Sequence, residues 1–229
     1  MKSVTIIIPV KDEEVGLQYL LDNYKTSTLI DNSNISFIFV IDGRTSDLSK
    51  TIAQNFSDLI IDQNETHGKG AAIRQALQVW NNNMTDLVLF MDADGSYSFE
   101  DASKIIDELN AGADVVSGSR FLSRKGIPEG MGHLHNFGNR FLSKISSVRN
   151  RRNLSDLCTG LWGFKSDSIA KLGIRSNGFD LEAEIVGKIR RAKLNHVEIP
   201  VNWSARKGGA SKLKSFRDGT IILLRILRT

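Results

Sequence analysis

The chain has 229 residues, 41% hydrophobic and 24% charged, with a net charge of +4. That is enough to bury one sizeable α/β core or two small ones. Its one cysteine, Cys158, excludes an internal disulfide framework and any cysteine-rich zinc site, and reads as a small core residue. No stretch approaches 18 uninterrupted apolar residues and a strand begins almost at once, so neither a signal peptide nor a transmembrane helix is expected and the chemistry is expected to be cytosolic.

The charge is segregated. Residues 1–119 hold 8 Lys and Arg against 18 Asp and Glu; residues 120–152 hold 8 against 1, and residues 203–229 hold 7 against 1. No zinc finger, helix-turn-helix or aromatic-basic interleaving accompanies the basic stretches, so nucleic acid is not the expected partner. Anionic small ligands and an anionic membrane surface fit local basic patches.

In chain order, Val4–Ile8 reads as a buried strand and Glu13–Tyr24 as a helix, with Val15, Leu17, Leu20, Leu21 and Tyr24 at helical spacing. Ile35–Ile41 is the next strand, ending in Asp42-Gly43, and Thr45 or Ser46 is expected to cap a helix running to about Asn55. A short strand follows at Leu59–Ile61, then a helix opening at Gly68-Lys69-Gly70 and running to Trp80. The apolar strand Leu87–Met91 runs into Asp92-Ala93-Asp94-Gly95, followed by a helix over Phe99–Asn110 and a strand over Asp114–Ser117. The second half offers a strand ending at Phe164, a helix from Phe179 to Lys193, a strand over Val197–Val201, a basic glycine-loosened loop over Arg206–Leu213 and an amphipathic final segment, Ser215–Thr229. That segment fits an interfacial helix and a helix packed on the core equally well. The alternation predicts an α/β fold: a mostly parallel sheet with helices on both faces.

Ligands bind such sheets at the carboxyl ends of the strands. Three of the first four strands end in polar residues: Pro9 through Glu13, Asp42-Gly43, and Asp92-Ala93-Asp94. Asp92 and Asp94, if extended, would project to one side roughly 7 Å apart, and hard oxygen ligands suit Mg²⁺ or Mn²⁺ with a bound diphosphate. Lys69 adds an ammonium at a helix N-terminus, suited to the same diphosphate. The basic loop at Arg206 reads as one that closes over phosphates. His67, His133, His135 and His196 lack zinc-site context and read as loop or packing residues.

The order of motifs Pro9-Val-Lys-Asp12-Glu13, Val40-Ile-Asp42-Gly, Gly68-Lys69-Gly70, Asp92-Ala-Asp94-Gly95, Gly118-Ser-Arg120-Phe, Ser155-Asp156 to Gly160 and Arg206 to Leu213 resembles glycosyltransferase family 2. Within it, the late Arg-x-Gly-Gly-x-Ser-Lys-Leu loop resembles the dolichyl- and polyprenyl-phosphate sugar synthases, the dolichol-phosphate-mannose synthase group. The resemblance covers essentially the whole chain, and the Gln-x-x-Arg-Trp motif of processive polymer synthases is absent.

The resemblance implies a GT-A fold spanning 1–229, with a nucleotide-sugar half (1–119), an acceptor half (120–214) and a C-terminal amphipathic helix (215–229). It implies inverting, metal-dependent hexose transfer from a GDP- or UDP-sugar to polyprenyl or dolichyl phosphate, by a peripheral protein on the cytoplasmic face of a membrane. In it, Pro9, Asp12, Glu13 and Asp42 cradle the nucleoside with Lys69 near the nucleotide. Asp92 and Asp94 hold the metal and diphosphate, Arg206 and Lys212 bridge the diphosphate and acceptor phosphate, and Arg120 and Arg140 hold the lipid phosphate. Ser96 stands where related synthases often place a glutamine metal ligand, and Ile41-Asp42 replaces their frequent Asp-Asp pair.

A lipid phosphate needs no general base, whereas a hydroxyl acceptor would need one, with Asp156 placed for it by motif. Three other readings stand beside the phosphate reading: a transferase to a hydroxyl with Asp156 as base, a sugar-nucleotide pyrophosphorylase, and a non-catalytic nucleotide-binding module at the membrane. The pyrophosphorylase would want a Gly-rich Arg/Lys loop directly after the first strand, which Pro9 to Glu13 does not supply.

Overall fold

A computed structural model describes residues 2–27, 34–57, 59–81, 85–122, 126–209, 212 and 215–229. Its strands are β1 (Ser3–Val10), β2 (Asn34–Asp42), β3 (Ile60–Gln63), β4 (Leu87–Met91), β5 (Val115–Ser119), β6 (Leu161–Lys165) and β7 (His196–Pro200). They form one sheet in the order β3-β2-β1-β4-β6-β5-β7. Every described pairing is parallel except those of β6, which runs antiparallel to β4 and to β5.

Around the sheet lie α1 (Glu14–Tyr24), α2 (Ser49–Gln54), α3 (Lys69–Trp80), α4 (Phe99–Ala111), α5 (His133–Asn150), α6 (Ser166–Leu172), α7 (Leu181–Arg191) and α8 (Ser215–Arg228). The isoleucine run of β1 shows how one strand holds two layers. Successive side chains point to opposite faces, so Ile6 and Ile8 pack with Leu17 and Leu20 of α1 and Ile105 of α4, while Ile7 packs with Ile73 of α3 and Ile185 of α7. All three isoleucines are fully buried, each worth about 1.5–3 kcal/mol. A strand that is apolar on both faces is the mark of a sheet covered on both sides.

Several local expectations shift. Thr45 and Ser46 cap no helix: α2 starts at Ser49, where the Asp47 carboxylate accepts from the Ser49 N–H at 3.0 Å and from the Glu14 N–H at 2.9 Å, tying α2 to α1. The 18-residue α5 has no counterpart in the sequence reading. Asn136, Gly138, Asn139, Ser143, Ser146 and Ser147 weaken both its propensity and its apolar period. Its small residues instead permit close packing, with the Ser143 and Ser147 hydroxyls donating back to the carbonyls of Asn139 and Ser143 at 2.7 and 2.8 Å.

The final segment is a helix packed on the core along one side. Ile222 and Ile226 of α8 are buried in the core, and Arg225 pairs with Asp180 at 2.6 Å. On its other side Phe216 is 83% and Leu227 54% exposed. No helix among the described residues is long and apolar enough to cross a membrane.

Candidate active site

The carboxyl ends of β1, β2 and β4 open into a cavity of about 1050 Å³. Pro9, Glu13, Asp42, Asp92 and Asp94 line it, as the strand-end argument expects. The chain turns immediately after β4 instead of staying extended, so the two aspartates meet different partners. A Cβ on Gly16 would sit 2.6 Å from the Asp94 backbone, so glycine lets α1 press against this turn.

Asp92 Oδ1 lies 2.8 Å from Lys69 Nζ, which lies 2.8 Å from Glu182 Oε1 on α7. Burial alone would lower the ammonium's pKa; the two carboxylates overcome this and hold it above its ordinary value. Burial raises Glu182 despite Lys69. The Gly68-Lys69-Gly70 turn is not an open anion cradle, since the Ala71 N–H donates to Asn177 O at 3.1 Å. The sequence reading assigned no role to Glu182. It shares the acidic start of α7 with Asp180 and Glu184, and only the fold separates them. Asp180 pairs with Arg225, while Glu184 accepts from the N–H groups of Arg175 and Ser176. Burial opposes ionisation of Glu184, but Lys188 and those N–H groups hold it at about 2.

Asp94 Oδ1 accepts from the Ser96 hydroxyl at 2.6 Å, so the residue at the glutamine position orients the carboxylate. Asp94 Oδ2 accepts from Arg206 Nη2 at 2.9 Å, and Arg206 Nη1 reaches Glu13 Oε1 at 3.1 Å. Burial pushes Glu13 up to about 7, against the pull of Arg206. Lys207 N donates to Asp94 O at 3.0 Å, seating the basic loop on the turn. Lys212 lines the cavity with Nζ donating to Asp12 O at 3.2 Å. Ala210, Ser211, Leu213 and Lys214 of that loop lie outside the described residues.

Five expected site residues are engaged by partners within the protein. Asp12 (φ +46) receives the Ser46 N–H at 2.8 Å on its carboxylate, and its side chain shapes a turn beside the cavity. Asp42 accepts Arg44 Nε and Nη2 at 2.9 and 2.7 Å, hydrogen bonds that hold it at about 2. Asp156 is fully buried, not among the cavity-lining residues, and bound by Arg120 Nε and Nη2 at 2.6 and 2.7 Å. Arg120 touches the cavity but spends those donors on Asp156 and on Cys158 O. Arg140 lies over the Phe121 ring at 4.6 Å, bonded to Asn136 and to Gly126 O, outside the cavity lining. Cys158 is half-buried, packed against the core at the cavity wall, its thiol pushed up to about 12 by burial. His196 fits the packing role, stacked on Trp162 with Nε2 2.8 Å from Ser117 Oγ.

The other end of the cavity is apolar. Leu134, Phe141 and Leu142 of α5 face Phe216, Ile222 and Leu223 of α8 across it, with Gly138 and Gly219 between them. Among the described residues nothing lies within 4 Å of where a Cβ on Gly138 or on Gly219 would sit, which leaves the groove there open.

The glycosyl transferase family 2 profile matches residues 5–173. The chain belongs to glycosyl transferase family 2. It is 27% identical over 227 residues to a glycosyltransferase of Haloferax volcanii, AglJ, covering 99% of this chain and 71% of that one. A dolichyl-phosphate hexose transferase of the same organism is 28% identical over 81% of this chain and 77% of its own. A dolichol-phosphate mannosyltransferase of Pyrococcus furiosus is 24% identical over 92% of this chain, which spans only 59% of that protein. Among solved structures, glucosyl-3-phosphoglycerate synthase of Mycobacterium tuberculosis with Mn²⁺, UDP-glucose and glycerol 3-phosphate superposes with a TM-score of 0.70 at 13% identity, over 99% of this chain and 79% of that one. That likeness gives this family 2 glycosyltransferase its GT-A fold.

Proposed function

We propose that the protein transfers a hexose, with inversion, from a nucleoside-diphosphate sugar to a polyprenyl phosphate at a membrane surface. The observation that carries this is one continuous cavity, with carboxylates, Lys69, Arg206 and Lys212 at the sheet end and an open apolar groove between α5 and α8 at the other. A donor diphosphate suits the first end and a lipid chain the second. The names of the Haloferax and Pyrococcus relatives support the lipid-phosphate acceptor. The expected division into donor half, acceptor half and C-terminal helix is kept as part of this proposal.

A divalent ion fits the donor set. Among the described residues no group of three or more His, Cys, Asp or Glu converges, and Mg²⁺ or Mn²⁺ commonly takes one or two carboxylates beside substrate phosphates. Asp94 and Asp92 would hold it, and it would neutralise diphosphate charge. The manganese bound in the Mycobacterium structure supports that choice.

The chain's own groups do the rest. An acceptor phosphate oxygen attacks the anomeric carbon from the face opposite the diphosphate; the new C–O bond forms as the bond to the diphosphate breaks. Arg206 and Lys212 compensate the charge gathering on the leaving group in a partly enclosed cleft. With a second pKa of about 6, the acceptor phosphate is already a dianion near neutral pH and needs no base. That agrees with Asp156 being locked on Arg120, where it positions the β5 and β6 ends and does not meet substrate. Phe137, Phe141 and Phe216, 68%, 49% and 83% exposed at the groove mouth, would enter the lipid surface.

The test pairs purified protein with GDP- and UDP-hexoses and Mn²⁺, offering polyprenyl phosphate and free polyprenol side by side. Transfer to the phosphate alone is expected. Preferential transfer to the hydroxyl would replace this reading with the base-dependent one.

A further inference from the structure

Among the described residues, most of the positive charge between 120 and 152 lies outside the cavity lining. Arg120 and Arg140 lie near its mouth, but Lys144, Arg149, Arg151 and Arg152 sit toward and beyond the far end of α5. From Leu134 to Arg151 the helix axis advances about 25 Å at its usual rise. There Lys144, Ser147, Val148, Arg151, Arg152 and Asn153 line a second cavity of about 400 Å³. Among the described residues its wall carries three cations and no carboxylate; the Glu198 carboxylate of β7, near enough to act on Arg152, accepts from the Ser155 and Asp156 N–H groups.

Two features show that these cations are not simply spent on the helix end. Three of the last carbonyls of α5 have partners other than these side chains: Ser147 O accepts the Arg152 N–H at 3.2 Å, Val148 O the Arg151 N–H at 3.3 Å and Arg149 O the Arg190 Nη1 at 3.2 Å. Arg152 Nη1 is also buried and has no hydrogen-bond partner among the described residues. A buried donor left unpaired is costly, and an anion beside it would remove that cost. Arg151 adopts φ +52 and ψ 43, a left-handed conformation uncommon for a side chain of its size.

The surface beside the cavity is apolar. Val148 is 71% exposed, and Leu134, Phe137, Phe141, Lys144 and Val148 follow one another at spacings of three and four along one face of α5, with Arg151 just past its end. A stripe that begins at the active-site mouth therefore ends at a cationic hollow. A soluble anion would account for the hollow but leave the stripe unexplained.

We propose that this second cavity binds the phosphate group of an anionic membrane lipid that is not the substrate, so that α5 lies along the membrane with the transfer site at one end and a headgroup anchor at the other. The site requires no donor, metal or acceptor, and so goes beyond the transferase reading.

The test uses the full chain with phosphatidylcholine vesicles, plain or doped with phosphatidic acid, and inorganic phosphate as a soluble competitor. The variants are Lys144→Gln/Arg151→Gln/Arg152→Gln and, as one that removes no existing contact, Val148→Glu, which puts a carboxylate into the cavity from an exposed position. The wild type is expected to favour doped vesicles. The triple variant should weaken that binding at least about 30-fold and Val148→Glu at least about tenfold, while transfer in detergent micelles by Val148→Glu stays within about twofold of wild type. Wild-type binding of doped vesicles by Val148→Glu overturns the proposal, as does a wild type that does not discriminate the two vesicles. If inorganic phosphate binds the wild type, not Val148→Glu, and both bind doped vesicles alike, the cavity is a soluble-anion site and the lipid assignment falls. Failure of the transferase reading would appear separately, as absence of transfer by every form, wild type included, with the vesicle results intact.

Discussion

Arg206 donates to Asp94 at 2.9 Å across 112 residues of sequence. The same guanidinium reaches Glu13 at 3.1 Å, so one side chain bridges the ends of β1 and β4. Replacing Asp94 or Arg206 by alanine is expected to leave a folded protein whose transfer rate falls at least about 100-fold. Because the two are partners, the double variant should lose less than the product of the single losses. Steady-state kinetics on the four forms checks this, and near-wild-type turnover by Asp94→Ala would remove the aspartate from the site.

Asp156 and Arg120 make the opposite kind of pair, both buried and joined by three hydrogen bonds, two from the guanidinium and one from the Arg120 backbone N–H. Asp156→Asn leaves a buried guanidinium without its counter-charge, which typically costs about 3–5 kcal/mol of stability. Denaturant unfolding should show that loss, while turnover per folded molecule drops less than in Arg206→Ala. Unchanged stability with abolished transfer would restore Asp156 as a general base.

Glu13 gives the fold a pH dependence. Its carboxyl is raised to about 7 from an ordinary 4.5, so between those values the folded protein keeps a proton that the unfolded chain has released. Stability from this group is full at low pH and is lost as pH rises through 7. In metal-free buffer, Glu13→Gln should flatten the fall in Tm between about pH 5 and 7.5. An identical pH profile in the variant would contradict the buried setting.

Gly138 separates groove from fold. A Cβ there meets nothing within 4 Å among the described residues, and a longer side chain would stand in the groove between α5 and α8. Gly138→Leu should keep or raise helix stability, since glycine is about 1 kcal/mol worse than good helix formers. The KM for polyprenyl phosphate should rise at least about tenfold, with the donor KM unchanged. An unchanged acceptor KM would place the lipid elsewhere.

The strand runs and the polar residues at their ends were legible because both are local. A run such as Leu87–Met91 can only be a buried segment, and carboxylates directly after it must emerge at the sheet's carboxyl edge. The alternating α/β plan and the cavity-lining positions of Pro9, Glu13, Asp42, Asp92 and Asp94 followed from that. The helix α5 was not legible, because its serines, asparagines and glycine carry no apolar period and it is stabilised by packing on α7 and α8.

Only the tertiary structure decided which charge meets which. Lys69 with Glu182, Arg206 with Asp94 and Arg120 with Asp156 are pairs between distant parts of the chain, and in sequence Asp180, Glu182 and Glu184 look alike. Ion pairing falls off with distance and is strengthened by burial. Both quantities are set when the sheet assembles, so the sequence determined which groups gather at the strand ends and the fold determined which of them face substrate and which lock one another in place.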